Sequence, residues 1–245
     1  MAEDKALFLL KFGKKENLEL LQKGNVYMKN LKYFIDLESE NQKKGMGDVT
    51  EGSLVMNDVK WTIMHPETNE VLFVSEAKRS TLRYDEVLHK PVFCSMALGL
   101  DDLEPIEEEI EGRVNTKIVF TEQQRNEMVD EFGEYVLVIP ATLFIRNITS
   151  TLDGENLEYA TGKVEYGDYS VNHQYRFVEF ETGDPKILFH KDSSLAYQKE
   201  FRVVILNRDI EDALTINIGD MTEYSTIVKS EDLLTGKFGV QLQLK

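Results

Sequence analysis

Three polar residues at alternating positions, Gln198, Glu200 and Arg202, introduce an apolar segment and are the clearest candidates for chemistry in this 245-residue chain. We predict a strand over residues 197–205, in which side chains alternate between the two faces. The three polar side chains then share one face, while the alternate residues from Phe201 onward cover the core. The pattern therefore places a carboxamide, a carboxylate and a guanidinium in one row.

A carboxylate on a rigid strand can bind a ribose. Glu200 would accept hydrogen bonds from ribose hydroxyls and stabilise a developing oxocarbenium ion. Gln198 would orient the acceptor group, and Arg202 would either restrain Glu200 or pair with a phosphate. The alternative interpretation is structural, because a glutamate and an arginine two residues apart on a strand often pair with neighbouring strands and do nothing else.

The hydrophobic pattern predicts many short strands and fewer helices. Strands are predicted at residues 7–12, 26–28, 54–56, 61–64, 71–74, 91–97, 135–139, 161–166, 197–205, 213–218 and 238–244. Helices are predicted at residues 14–21, 121–132 and 143–148, with a short one after Asn30. Residues 38–52 hold three glycines and are predicted to form a mobile loop. The acidic residues 101–112 are predicted to form an exposed loop or a fraying helix.

These elements predict the fold class. The chain shows no internal repeat, no heptads and no linker rich in Pro, Gly or Ser. A single α+β domain over residues 1–245 is the simplest interpretation, with a mostly antiparallel, twisted or split sheet and short helices.

The chain is strongly acidic, with 44 Asp and Glu against 28 Lys and Arg and a net charge of −16. Its cations are not gathered in one place, so we expect no broad nucleic-acid-binding face. The acidity fits a solvated surface, a basic protein partner or mimicry of nucleic acid, and we expect a protein partner. The sequence leaves the oligomeric state open.

Compartment and membrane contact follow from the N-terminus and the cysteine count. The first residues are charged, and the apolar run at residues 7–10 is too short for a signal sequence or a membrane span. The single cysteine, Cys94, excludes an internal disulfide. We therefore expect a cytoplasmic protein that does not enter a membrane.

Several common active sites lack their motifs. The sequence has no glycine-rich phosphate loop, no dinucleotide fingerprint and no Gly-x-Ser-x-Gly elbow. The four histidines are scattered without metal-binding spacing, so we expect no metal. Cys94 lies in an apolar strand, where a buried structural cysteine is the more common interpretation and a nucleophile the less common one.

The order of these elements resembles that of the ADP-ribosyltransferases. In that fold a first strand carries a His or Arg that grips NAD, a middle strand carries a hydroxyl, and a late strand carries a Gln/Glu-x-Glu motif. The resemblance implies that Glu200 is the catalytic glutamate, Gln198 its partner, and Ser95 the middle-strand hydroxyl. Lys11 stands where the family has His or Arg.

The same resemblance implies an NAD-dependent enzyme with an ADP-ribosyltransferase-like layout. Lys11, Ser95 and Arg202 are then expected to bind NAD, together with Tyr27 from the strand that frames the nicotinamide. The aromatic residues Tyr27, Tyr33 and Phe34 would offer stacking surface for a base, although core packing is their more common role.

A second resemblance covers residues 7–230 and concerns an uncharacterised family of bacterial, mobile-element and phage proteins, a domain of unknown function. It is carried by the segments Leu-Lys-Phe-Gly-Lys-Lys-Glu, Gly-Asn-Val-Tyr-Met, Tyr33-Phe34, Gly47-Asp48 with Glu51-Gly52, Val-Phe-Cys-Ser, Phe-Gly-Glu-Tyr, Val164-Glu165-Tyr166, Phe-His-Lys and Tyr-Gln-Lys-Glu-Phe-Arg. It implies a small cytoplasmic protein of phage–host conflict. We therefore expect an ADP-ribosyltransferase-like scaffold acting in that conflict. The alternative is a non-enzymatic acidic protein that binds a host defence protein and inhibits or triggers it.

Overall fold

The computed structural model describes residues 6–41, 45, 47–106 and 113–243. The strands are β1 Phe8–Gly13, β2 Asn25–Asn30, β3 Leu54–Met64, β4 Val71–Leu82, β5 Pro91–Leu98, β6 Leu103–Pro105, β7 Arg113–Ile118, β8 Tyr135–Pro140, β9 Tyr159–Lys163, β10 Glu165–Gly167, β11 His190–Asp192, β12 Glu200–Ile205, β13 Ala213–Asn217, β14 Thr226–Lys229 and β15 Gly239–Gln243. The helices are α1 Lys15–Gln22, α2 Leu31–Asn41, α3 Asp85–Leu88, α4 Glu122–Phe132, α5 Ala141–Gly154, α6 Gln174–Thr182 and α7 Ser230–Leu234. Short 3₁₀ turns cover Leu100–Asp102, Pro185–Phe189 and Ser193–Gln198.

The largest sheet is antiparallel and has eight strands, with β13, β2, β5, β1, β8 and β14 in that order and with β12 and β9 added beside β5. Along one edge of β5, β12 pairs with residues 92–96. Along the other edge, β2 pairs with residues 91–92 and β1 with residues 96–98. Among the described residues no strand covers residues 93–95 on this second edge, so the sheet is split between β1 and β2.

Both faces of the central strands are covered. On one face, Phe93 and Val203 pack with Phe144 of α5 in a fully apolar core. On the other face, Leu10 packs with Met128 of α4. The alternation predicted from residue 201 onward is confirmed, and so is the α+β class with mostly antiparallel sheets and short helices.

Local sequence signals account for where two helices begin and end. α4 begins with a capping box: the Thr121 hydroxyl accepts from the Gln124 N–H at 3.1 Å, and the Gln124 side chain accepts from the Thr121 N–H at 2.9 Å. Gly24 follows α1 with φ of 92°. A Cβ at this position would stand 2.2 Å from the carbonyl oxygen of Gly219, so only glycine fits there.

The predicted hairpin of the first half is confirmed, but it is longer than predicted. β3 and β4 have 11 and 12 residues and pair over almost their whole length. They form a two-stranded sheet of their own. The C-terminal strand was predicted at residues 238–244 and is observed as β15.

The strand predicted over residues 197–205 begins only at Glu200. Gln198 ends a 3₁₀ turn, and Lys199 has a left-handed backbone with φ of 43°. This turn breaks the alternation, so the prediction that Gln198 shares a strand face with Glu200 was wrong.

Other boundaries also differ from the prediction. α2 extends to Asn41, into the predicted loop 38–52, of which residues 42–44 and 46 lie outside the described residues. Within the acidic segment 101–112, Asp102 is buried and pairs with Lys199, and β6 follows it. The described part of this segment is mostly exposed, as predicted, but it forms a 3₁₀ turn and a strand, so the predicted loop or fraying helix was wrong there. Residues 107–112 lie outside the described residues. The predicted strand 161–166 divides into β9 and β10, and α6 had no prediction.

Candidate active site

A cavity of about 190 Å³ lies at the split of the main sheet. Its lining includes the polar residues Lys11, Glu51, Ser95, Lys191, Gln198 and Glu200. Its apolar lining includes Phe12, Tyr33, Phe34 and Phe132. The cavity thus collects polar groups from strands that are far apart in the sequence, against an aromatic wall.

Glu200 is the first residue of β12, and both of its carboxylate oxygens are bound. Arg202 Nε donates to Oε1 at 2.5 Å, and Lys191 Nζ lies 2.8 Å from Oε2. The backbone N–H of Glu200 donates to the Tyr166 hydroxyl at 2.9 Å, which fixes the start of the strand. Burial alone would raise the pKa of Glu200, but the charges of Arg202 and Lys191 outweigh burial and hold this pKa well below its ordinary value. Glu200 is therefore an ionised carboxylate at neutral pH.

Arg202 is almost completely buried, and each arm of its guanidinium has a partner. Besides Glu200 it binds the Leu188 carbonyl oxygen through Nη1 and Glu51 Oε1 through Nη2, both at 2.6 Å. It does not line the cavity. Two roles were predicted for Arg202. The structure shows the first, the restraint of Glu200. The second, pairing with a phosphate, has no support in this geometry, because the guanidinium does not line the cavity.

Lys191 and Glu51 complete this buried group of charges. Lys191 Nζ lies 3.2 Å from Glu51 Oε1 and donates to Gln198 Oε1 at 3.0 Å. Burial alone would lower the pKa of Lys191, but Glu200 and Glu51 raise it above its ordinary value. Two carboxyl groups and two cationic side chains therefore pair with each other beside the cavity, which offsets part of the cost of burying them.

Gln198 is bound at both ends of its amide. Its Oε1 accepts from Lys191, and its Nε2 donates to the carbonyl oxygen of Gly45 at 2.6 Å. With its amide engaged in this way, Gln198 positions Lys191 and binds the backbone of Gly45. The acceptor-orienting role predicted for it has no support from this geometry.

The side chain of Lys11 spans the split of the sheet. Lys11 lies on β1, and its Nζ donates to the carbonyl oxygen of Cys94 at 2.6 Å, on the part of β5 that no described strand covers. Burial lowers the pKa of Lys11, and the nearby Cys94 and Glu200 only partly counter this effect. Burial raises the pKa of the Cys94 thiol, so the thiol stays protonated at neutral pH and fits the structural interpretation.

Two polar atoms of the cavity lining are buried and lack a hydrogen-bond partner within the described residues. They are Ser95 Oγ and Glu51 Oε2. Buried polar atoms are nearly always hydrogen-bonded, and an unpaired one lowers stability. Both residues line the cavity, but Ser95 lies directly opposite Phe201 in the sheet, so its side chain lies on the face of Phe93 and Phe201 and not on that of Glu200.

The structure brings four of the six predicted site residues to one cavity: Lys11, Ser95, Gln198 and Glu200. Arg202 lies behind Glu200. Tyr27 lies elsewhere, because its side chain projects from β2 with 54% of its surface exposed and does not line the cavity. Of the three aromatic residues expected to offer stacking surface, Tyr33 and Phe34 line the cavity.

Glu51 and Lys191 were missed by sequence reasoning. Glu51 lies in a glycine-rich polar segment, and Lys191 lies between His190 and Asp192, so both resemble surface charges in the sequence. The side chains of Glu51 and Lys191 are buried because β11 and the segment around Glu51 lie close to β12. Only the structure shows this burial. A lysine two residues after the apolar run 187–189 was the one available signal.

Comparison with known proteins gives no family for the chain: no family model, no curated protein and no solved structure matches it. Among the described residues, no helix has the length and apolar character needed to cross a membrane. In the same part of the chain, no three His, Cys, Asp or Glu side chains gather as metal ligands would.

Proposed function

We propose that the cavity binds NAD and that the protein is an ADP-ribosyltransferase-like enzyme whose catalytic carboxylate is Glu200. The observation that carries this proposal is the convergence of Lys11, Ser95 and Glu200 on one cavity at the split of the sheet. These residues lie on β1, β5 and β12. NAD would supply a ribose carbon that becomes electrophilic as its bond to nicotinamide breaks.

The chemistry of the cavity fits one end of such a ligand. Glu51 Oε2 can accept a hydrogen bond, which suits the NH₂ group of a carboxamide. Tyr33 and Phe34 offer aromatic surface to a planar ring. Ligand pockets commonly measure about 300–1,000 Å³. A cavity of about 190 Å³ therefore holds only part of a dinucleotide, and the rest lies outside it.

Glu200 supplies the fixed negative charge. Arg202 and Lys191 keep its carboxylate ionised and oriented before any ligand binds, and such preorganisation is the main source of electrostatic catalysis. Glu200 would accept a hydrogen bond from a ribose hydroxyl and stabilise positive charge at the adjacent carbon. Glu51, with one free oxygen, would take the acceptor-orienting role that Gln198 cannot fill.

A Glu200→Gln variant tests this proposal. We expect the wild-type protein, given NAD and an acceptor, to release nicotinamide, and the variant to do so about 10²–10³ times more slowly because the negative charge is gone. Glu122→Gln, an exposed glutamate on α4, is the matched control and should keep wild-type activity. A protein that neither consumes NAD nor melts at a higher temperature in its presence would contradict the proposal.

The second candidate function is contact with a host defence protein, without chemistry, in phage–host conflict. It is favoured by α6, which exposes Tyr175, Phe177 and Val178 by 45–50%. The acidic segment gives this candidate less support than the sequence suggested, because Asp102 is buried and paired. Serine substitutions at the three α6 positions that leave NAD turnover intact and abolish a biological effect would favour contact over catalysis.

A further inference from the structure

The β3–β4 hairpin exposes large apolar side chains on both of its faces at its distal end. Ile63 and Phe73 lie opposite each other and are 54% and 57% exposed, and Leu72 is 60% exposed. Trp61, Met64, Val71 and Val74 are also exposed there. Neighbouring exposed side chains of this size and number mark a surface that another molecule covers.

The same hairpin has unpaired edges. Within the described residues, β3 and β4 pair with no strand but each other, so each has an outer edge without a partner strand. On β3, Asn172 binds the N–H and the C=O of Asn57 and covers part of this edge. On β3 the left-handed backbone of Asp58, with φ of 50°, interrupts the extended conformation. β4 has regular pairing from Phe73 to Leu82. A long unprotected edge of this kind is a template for another strand, and β4 is the better of the two.

The charges on β4 indicate which strand can pair with its free edge. If β4 pairs antiparallel with β4 of a second copy about Ala77, Glu76 of each copy lies opposite Lys78 of the other. The register is therefore self-complementary, as a twofold interface requires. Phe73 then lies opposite Thr81 of the second copy, which removes part of the exposed ring from water.

The overall charge does not oppose this contact. The chain carries −16, but residues 54–82 contain four acidic and three basic residues. Two copies that meet through their hairpins therefore approach by nearly neutral surfaces and keep their acidic regions apart.

We propose that the protein is a twofold-symmetric dimer in which β4 pairs with β4 of a second copy, joining two hairpins into one four-stranded antiparallel sheet. The four strands bury the free edge of β4, and side chains on the same face of neighbouring strands pack side by side. This inference is independent of NAD binding.

Charge reversal tests the register. Glu76→Lys places lysine opposite lysine across the interface, and Lys78→Glu places glutamate opposite glutamate. We expect the wild type to sediment as a dimer in sedimentation equilibrium. For each variant alone, we expect a dimer dissociation constant about tenfold higher or more. An equimolar mixture of the two variants restores opposite charges at both contacts and should recover the dimer. A mixture no tighter than either variant overturns the proposal.

Two further variants test the surface and the centre of the interface. Phe73→Ser should weaken the dimer, and Leu20→Ser, an equally exposed leucine on α1, should not. Ala77→Cys should give a disulfide-linked dimer under mild oxidation, because directly opposed strand residues lie within disulfide reach. The wild type, whose single cysteine is Cys94, should not form a disulfide-linked dimer. A monomeric wild type overturns the proposal. This holds also if the monomer binds a different protein or lipid vesicles through the hairpin.

Discussion

Arg202 binds Glu200 from two residues further along β12, through a 2.5 Å contact between Nε and Oε1 inside the protein. Removing two charges from water is unfavourable, and a buried pair often stabilises a fold no better than apolar residues would. The pair is therefore better explained by its position, because it holds an ionised carboxylate at the wall of a cavity that has unpaired polar atoms.

Replacing Arg202 with methionine should destabilise the fold strongly. The change leaves Glu51 and Glu200 with only Lys191 to balance them, and loss of one partner from a buried ion pair typically costs about 3–5 kcal/mol. Urea unfolding should show this loss in the free energy of unfolding.

A second change provides the internal control for Arg202. Combining Arg202→Met with Glu51→Gln restores the balance of charge, so the double variant should recover part of the lost stability. Lys32→Met, which breaks an exposed pair with Asp36, should leave the unfolding midpoint almost unchanged. A loss of stability in Arg202→Met no larger than that in Lys32→Met would contradict the buried network.

The stability of the protein should depend on the ionisation of Glu200. The pKa of Glu200 is lower in the folded state than in the unfolded state, where the pKa of a glutamate is about 4.3. Its contribution is therefore present above that pH and is lost as the pH falls through the folded-state value. Urea midpoints measured from neutral to acidic pH should fall more steeply for the wild type than for Glu200→Gln. Parallel curves would show that Glu200 has no shifted pKa.

The fold was predictable where local pattern decides structure. The alternation of Phe201, Val203 and Ile205 identified the core face of β12, and Thr121 with Gln124 identified the start of α4. The left-handed Lys199 was not predictable, because its conformation accompanies contacts across the fold: its side chain reaches Asp102, 97 residues away, and Gln198 reaches Gly45, 153 residues away.

The site was predictable only in part, for a related reason. Lys11, Ser95 and Glu200 stand out because each is a polar residue in an apolar strand. Glu51 and Lys191 lie in polar surroundings in the sequence, and burial distinguishes them only after β11 and β12 come together. Tyr27 was expected at the site because of its neighbours in sequence, but its side chain faces solvent.

The most direct test of the proposed NAD site is a calorimetric titration of NAD into the wild type and into Tyr33→Ala. Tyr33 lines the cavity and is 42% exposed, so its removal should change the unfolding midpoint little. We expect the wild type to bind NAD and the variant to bind it about 3–10-fold more weakly, because the variant lacks aromatic surface for a planar ring. A wild type that does not bind NAD, or a variant that binds it equally well, would contradict the assignment of this cavity.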